Sequence, residues 1–316
     1  MKTKKIFTNK KVVVVLAIMT CFFWGSAFPT IKTGYEVYGI SQGDIASQIL
    51  FAGIRFTLAG ILIIIVGSLF LRRLPRIEIK KLPKVIHLSL FQTIGQYVFF
   101  YMGLAKATGT NGAIIDGSCA LVTVVIAGLF YKEDKMTITK SIGCIMGFLG
   151  IAIVAVSGGT SDIGFTITGE GFILIATLAN GYSAILIKRY SQEINPVYLC
   201  GYQFIFGGMT MALGAFISGG CITGIDSGNI IILIYLAMLS MIAYTTWTVL
   251  LKYNSAAKVG VYGFLIPVFG VILSAIVLKE NPANISTISA LALVCIGIYM
   301  VNRKTRLKSR STNKDC

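Results

Sequence analysis

Apolar residues in this chain come in runs of about 20, separated by short polar clusters, and that spacing sets the expected fold. A helix rises about 1.5 Å per residue, so roughly 20 residues cross a hydrocarbon layer about 30 Å thick. Ten runs meet this requirement, at 12–32, 46–70, 85–105, 110–131, 138–157, 170–188, 197–218, 229–251, 257–278 and 284–302. In lipid every backbone polar group needs an internal partner, so the runs are read as helices rather than strands. The pattern therefore predicts an all-α integral membrane protein of ten transmembrane helices. The links are short, and Gly158-Gly159-Thr160-Ser161-Asp162, Gly219-Gly220 and Asn281-Pro282 carry turn chemistry. The first run resembles a secretory leader. No small-residue cleavage site follows it, and apolar character continues from Trp24 to Ile31, so it reads as a retained first span.

Charge fixes the expected orientation. The 316 residues are 55% hydrophobic and only 13% charged, far below the roughly 25% charged residues of a soluble domain. The net charge of +16 invites a nucleic-acid reading, but the Lys and Arg residues sit in clusters between the apolar runs. With the N-terminus placed in the cytoplasm, nearly all 28 fall on the inner side. The exceptions are Lys32, Lys106 and Lys279 outside, and Arg55 within a span. Under the positive-inside rule both termini are cytoplasmic, and the charge addresses a bilayer, with no nucleic-acid partner implied. The expected location is the plasma (inner) membrane. The seven cysteines are scattered without a CxxC pair, and His87 is the only histidine. No disulfide framework, metal site, cofactor or Ser-His-Asp triad is expected.

The chain also repeats. A shift of 147 carries 104–133 onto 251–280 without a gap, pairing Leu104 with Leu251 and Lys132-Glu133 with Lys279-Glu280. A shift of 148 pairs Gly53 and Phe56 with Gly201 and Phe204, and Gly60 with Gly208. A shift of 156 pairs Gly25 with Gly181 and Ile31-Lys32 with Ile187-Lys188. Five spans is an odd number, so the second unit enters from the opposite face. The expected units are 1–157 and 158–316, the second ending in a basic cytoplasmic tail. Inverted repeats mark secondary transporters, with the site near the midplane between halves.

Certain motifs then match a known pattern. Trp24-Gly25-Ser26-Ala27-Phe28 with Lys32, Arg55-Phe56, Gly103-Leu104 through Ala113, Lys132-Glu133, and Pro267 with Lys279-Glu280 resemble the EamA-type branch of the drug/metabolite transporter (DMT) superfamily. The resemblance covers nearly the whole chain. It implies ten helices, cytoplasmic termini, and export or uptake of amino acids, metabolites or drugs. Ala120 departs from the pattern, since the repeat partner of Pro267 is often proline there, and unequal flexing of the halves would follow.

Several polar residues inside the spans are candidates for the chemistry. Arg55 lies about ten residues into the second run, near the midplane, where charge costs about 3 kcal/mol on insertion scales. It either holds a substrate carboxylate or phosphate, or serves a structural role by pairing with Asp116 or capping helix carbonyls. Asp116 either couples protons or binds a cationic group, or else neutralises Arg55 or reaches water. Gln92 and Gln96 share a helix face, and Asn180 and Gln203 pose the same choice between cavity lining and interhelical bonding. Trp24, Tyr97, Tyr101, Tyr244, Trp247 and Tyr262 are aromatic candidates, either cavity wall or interfacial anchors. Pro267 frees the carbonyl of Gly263, and with Pro29 these are candidate hinges. Lys132-Glu133 and Lys279-Glu280 end two equivalent helices and either form ion pairs that stabilise closed states or are ordinary interfacial charges, and His87 reads as an interface residue.

The function expected is secondary active transport, in the direction of export, of small metabolites such as amino acids or drugs by alternating access, with substrate near Arg55, Gln96 and Asp116. No Walker A loop is present to bind a nucleotide. The competing class is a membrane-embedded enzyme acting on lipids or headgroups. The sparse carboxylates and single His count against it.

Overall fold

The structure is a computed structural model and describes residues 2–72, 76–130, 136–157, 166–224, 226, 228–254 and 259–302. The helices are α1 (Lys2–Thr8), α2 (Lys10–Val37), α3 (Ile45–Leu71), α4 (Leu82–Ser89), α5 (Gln96–Lys106), α6 (Gly109–Gly117), α7 (Cys119–Phe130), α8 (Ile138–Ser157), α9 (Phe172–Tyr190), α10 (Pro196–Ile217), α11 (Ile230–Tyr253), α12 (Leu265–Val277) and α13 (Ile285–Asn302). Among the described residues there is no strand. Eight helical stretches there are long and apolar enough to cross a membrane: α2, α3, 109–129, α8, 167–190, α10, α11 and α13.

The third and ninth expected runs stand apart from those eight. The third is a composite: α4 and α5 are joined by a π-helical turn, Leu90–Gly95. The ninth begins as a 3-10 turn, Val261–Phe264, before the 13-residue α12. The fourth run, expected as one helix, is broken at Ser118, whose N–H turns back to the Ile115 carbonyl. The turn at 158–162 and the pair Lys132-Glu133 lie outside the described residues.

Local chemistry sets the ends. Asp44 accepts from the Ser47 N–H at the start of α3, Thr108 from the Asn111 N–H at the start of α6, and Asn195 from the Val197 N–H beside Pro196. Each cap satisfies a donor that the first turn leaves orphaned. The outer surface is apolar, with Leu69, Leu129, Val156 and Phe216 all largely exposed. That distribution suits lipid as the surrounding solvent.

Small residues let the helices meet. α3 packs along α10, and α8 along α13. A Cβ on Gly60 would stand 2.7 Å from the Gly201 carbonyl oxygen, and one on Gly143 would stand 2.9 Å from that of Gly297. Backbones this close require glycine, as in membrane helix pairs generally. The other partners exchange in a regular way: α2 packs on α11 and α12, while α9 packs on α5 and α7. The two broken or composite elements, α6 and α12, also lie against each other.

Candidate functional site

A cavity of about 280 Å³ lies among these helices. Of the residues singled out by sequence, Trp24, Arg55, Gln96, Tyr97, Asp116, Asn180, Tyr244 and Gly263 line it. They come from α2, α3, α5, α6, α9, α11 and the 3-10 turn before α12, so packing of both sequence halves builds one space.

Arg55 is 2% exposed. Its Nε donates to Ser240 Oγ at 3.0 Å and to the Leu236 carbonyl at 3.3 Å, and Nη1 donates to the Tyr101 hydroxyl at 2.8 Å. Its guanidinium carbon also lies 4.9 Å from the Phe56 ring centroid. Pairing with Asp116 is not found. Both ion pairs among the described residues lie elsewhere, Lys81–Glu78 and Lys84–Glu193. The guanidinium is held by neutral groups because α11 brings a carbonyl and a hydroxyl opposite it, whereas Asp116 sits on another helix facing the cavity. Tyr101 and Ser240 complete the arginine's setting. Tyr101 was legible only as one aromatic among several, and Ser240 gave no sequence signal.

Below Arg55 four aromatic rings close a circuit. Tyr97 lies 4.1 Å from Phe56, Phe56 lies 5.1 Å from Phe204, and Phe204 lies 5.0 Å from Tyr244. The hydroxyls of Tyr97 and Tyr244 then bond to one another. Trp24 and Trp247 extend this wall, with Trp24 at 5.3 Å from Tyr244 and 5.1 Å from Trp247.

Several polar atoms in the cavity wall have no partner. They are Trp24 Nε1, Gln92 Oε1, Gln96 Oε1 and Asp116 Oδ1. A buried polar atom left unbonded costs roughly 1–3 kcal/mol, so a cluster of them suits a polar ligand or water. Gln92, also read as a plain interhelical residue, belongs to this set.

The remaining candidates fall elsewhere. Gln203 does not line the cavity. Its Oε1 accepts from Thr93 Oγ1 and its carbonyl from Ser89 Oγ, tying α10 to the helix before α5. Pro267 lies within the helical segment Val261–Val277, three residues past its 3-10 turn, and packs against Gly117 at the α6–α7 break. Pro29 is buried within the long α2. His87 bonds Tyr190 at 2.8 Å, an interface contact.

The cavity reaches Lys140, the exposed Lys188 and Asn302 at one end. A carboxylate joins α12 to the start of α6. Glu280 accepts from the Gly109 and Thr110 N–H groups at 2.7 and 2.8 Å, capping α6 from across the molecule. Lys279 takes a left-handed conformation (φ 55°) just past α12, and this reversal returns Glu280 toward α6. Of the 279–280 pair, Glu280 is therefore a carboxylate cap on a helix N-terminus. Alongside it, Lys32 donates to the Ala107 carbonyl at 2.7 Å.

Comparison with known proteins decides the family. The model of the EamA-like transporter family matches residues 11–156 and, a second time, residues 167–303. The chain belongs to the EamA-like transporter family. An EamA-like protein with this fold is a multi-pass membrane protein, and several relatives carry transporter names. An uncharacterized transporter of Archaeoglobus fulgidus is 28% identical, over 92% of this chain and 98% of its own. The uncharacterized transporter YvbV of Bacillus subtilis is 24% identical, over 92% of each chain. A probable terminal-alkyne amino-acid exporter of Streptantibioticus cattleyicolor is 23% identical, over 94% of this chain and 95% of its own. A solved crystal structure, 16% identical, overlays with a TM-score of 0.67 over 92% of this chain and 96% of that one. It shares the fold.

Proposed function

We propose that this EamA-like protein is a secondary active exporter of small metabolites, working by alternating access between two inverted five-span units, 1–157 and 158–316. The observation that carries the reading is the cavity, which draws its wall from both halves and reaches Lys140 and Lys188, while the Glu280 carboxylate joins α12 to the start of α6. A site at the seam of two repeats suits a rocking transporter. The double family match and the exchanged packing of α2 and α9 support the two-unit division. The third run and the 261–277 segment are then the spans that bring eight to ten. The amino-acid exporter among the relatives supports a small polar cargo.

In this reading both termini lie in the cytoplasm of a plasma-membrane protein, and the cavity faces inward. Substrate enters between Arg55, Gln96 and Asp116, against Trp24, Tyr97 and Tyr244, with Asn180 opposite. Gln203 supports the wall from behind. Gly263, Pro267 and Pro29 are the hinge candidates, since α6 and α12 meet at Gly117 and Pro267. Asp116 exchanges a proton with the cytoplasm and couples export to the proton gradient.

The test is counterflow in liposomes with a panel of amino acids and small metabolites, combined with tag accessibility at 133 and 280. Saturable counterflow with the two tags on opposite faces is expected. Absence of counterflow for every compound, or both tags on one face, would overturn the reading.

A further inference from the structure

The two halves hold matching polar nodes, and only one is charged. A shift of 148 places Arg55 on Gln203, and a shift of 147 places Ser89 on Leu236 and Thr93 on Ser240. In one node Arg55 bonds Ser240 Oγ and the Leu236 carbonyl. In the other, Gln203 bonds Thr93 Oγ1 and Ser89 Oγ. The same positions meet in both, through different atoms. Gln203 is fully buried; its amide oxygen accepts from Thr93 Oγ1 while its backbone carbonyl takes the Ser89 bond, so a neutral side chain fills the position equivalent to 55.

The cation at 55 is therefore not demanded by packing. It carries a cost of about 2.5–3.5 kcal/mol at mid-bilayer on insertion scales. The two nodes differ in what they face: Arg55 lines the cavity and Gln203 does not. Its Nη2 has no hydrogen-bond partner and no carboxylate reaches it among the described residues. A buried guanidinium without a counter-ion beside a cavity is matched best by an oxyanion, which its planar fork binds through two parallel N–H groups.

We infer that the transported molecule carries a carboxylate or phosphate, and that Arg55 is the residue that selects it. This inference rests on the transport reading above, yet a binding measurement tests it separately. Trp24 and Trp247 are the chain's two tryptophans and both line the cavity, so intrinsic fluorescence reports occupancy directly.

The experiment titrates purified protein in detergent with compounds sharing one branched apolar tail: 4-methylpentanoate, isopentyl phosphate, leucine and isopentylamine. At least one oxyanion is expected to quench fluorescence, and the amine is not. The carboxylate and phosphate arms distinguish the two anion chemistries. Arg55→Gln, which copies the side chain at 203, is expected to fold, with a lower ligand-free melting temperature because the Tyr101 hydroxyl loses its partner, and to weaken oxyanion binding at least roughly tenfold. Arg55→Lys keeps the cation without the fork. It is expected to weaken binding less and to leave the amine excluded, and it carries the test should Arg55→Gln not fold. The inference is overturned if no oxyanion binds, if the amine binds in preference, or if both variants bind oxyanions as tightly as the parent. Counterflow of a purely cationic or neutral compound would leave transport standing and remove this inference alone.

Discussion

The hydroxyls of Tyr97 and Tyr244 bond to each other across a separation of 147 residues, the same offset that overlays 104–133 on 251–280. Each tyrosine thus meets its own repeat counterpart. Phe56 and Phe204, counterparts at an offset of 148, do the same at 5.1 Å. The four rings form the wall beside Arg55.

That hydroxyl pair makes a double-mutant prediction. Tyr97→Phe or Tyr244→Phe alone leaves one buried hydroxyl without a partner, at a cost of about 1–2 kcal/mol. The double substitution removes both, so its loss should fall short of the sum of the singles. Denaturant or thermal unfolding in detergent measures this, and strict additivity would count against the bond.

The cap on α6 makes a second prediction. Replacing Glu280 with Gln keeps its shape but removes the charge and turns one of the two accepting oxygens into an NH2 that cannot accept from a helix N–H, a loss of at least about 1 kcal/mol. The α6–α12 junction should open more often. Cys119 lines the cavity, so in a Cys221→Ser background an impermeant maleimide applied from the Glu280 face should label it several-fold faster. Unchanged labelling would argue that other contacts hold this junction together.

Asp116 makes a third. If its carboxylate carries the coupled proton, Asp116→Asn should abolish accumulation driven by a pH gradient while counterflow survives, because exchange needs no net proton movement. Concentrative uptake that persists in the variant, measured in liposomes, would assign coupling elsewhere.

Helix α10 supplies a matched pair for packing. A Cβ on Gly208 would stand 2.5 Å from the Thr57 backbone nitrogen, whereas one on Gly214 would meet nothing within 4 Å. Gly208→Ala should destabilise by about 1–3 kcal/mol through overpacking against α3. Gly214→Ala should be neutral or mildly stabilising, since it adds helix propensity without a clash. Melting temperatures of the two variants side by side test the α3–α10 contact.

Much of the architecture was readable from the letters. The eighth run, expected at 229–251, is α11 at Ile230–Tyr253, and the fifth coincides with α8. Hydropathy fixes such spans because the price of exposing backbone or charge to lipid is local and large. The same reasoning placed Arg55 inside the bundle.

The tertiary structure decided the rest. Arg55 takes its partners from α5 and α11 rather than from Asp116, Gln203 faces a helix rather than the cavity, and Glu280 caps α6 rather than pairing with a lysine. Hydropathy states only how deep a residue lies. Which neighbour it meets depends on how each helix is rotated and crossed, and close backbone contacts at glycines such as Gly60 and Gly201, far apart in sequence, set those angles.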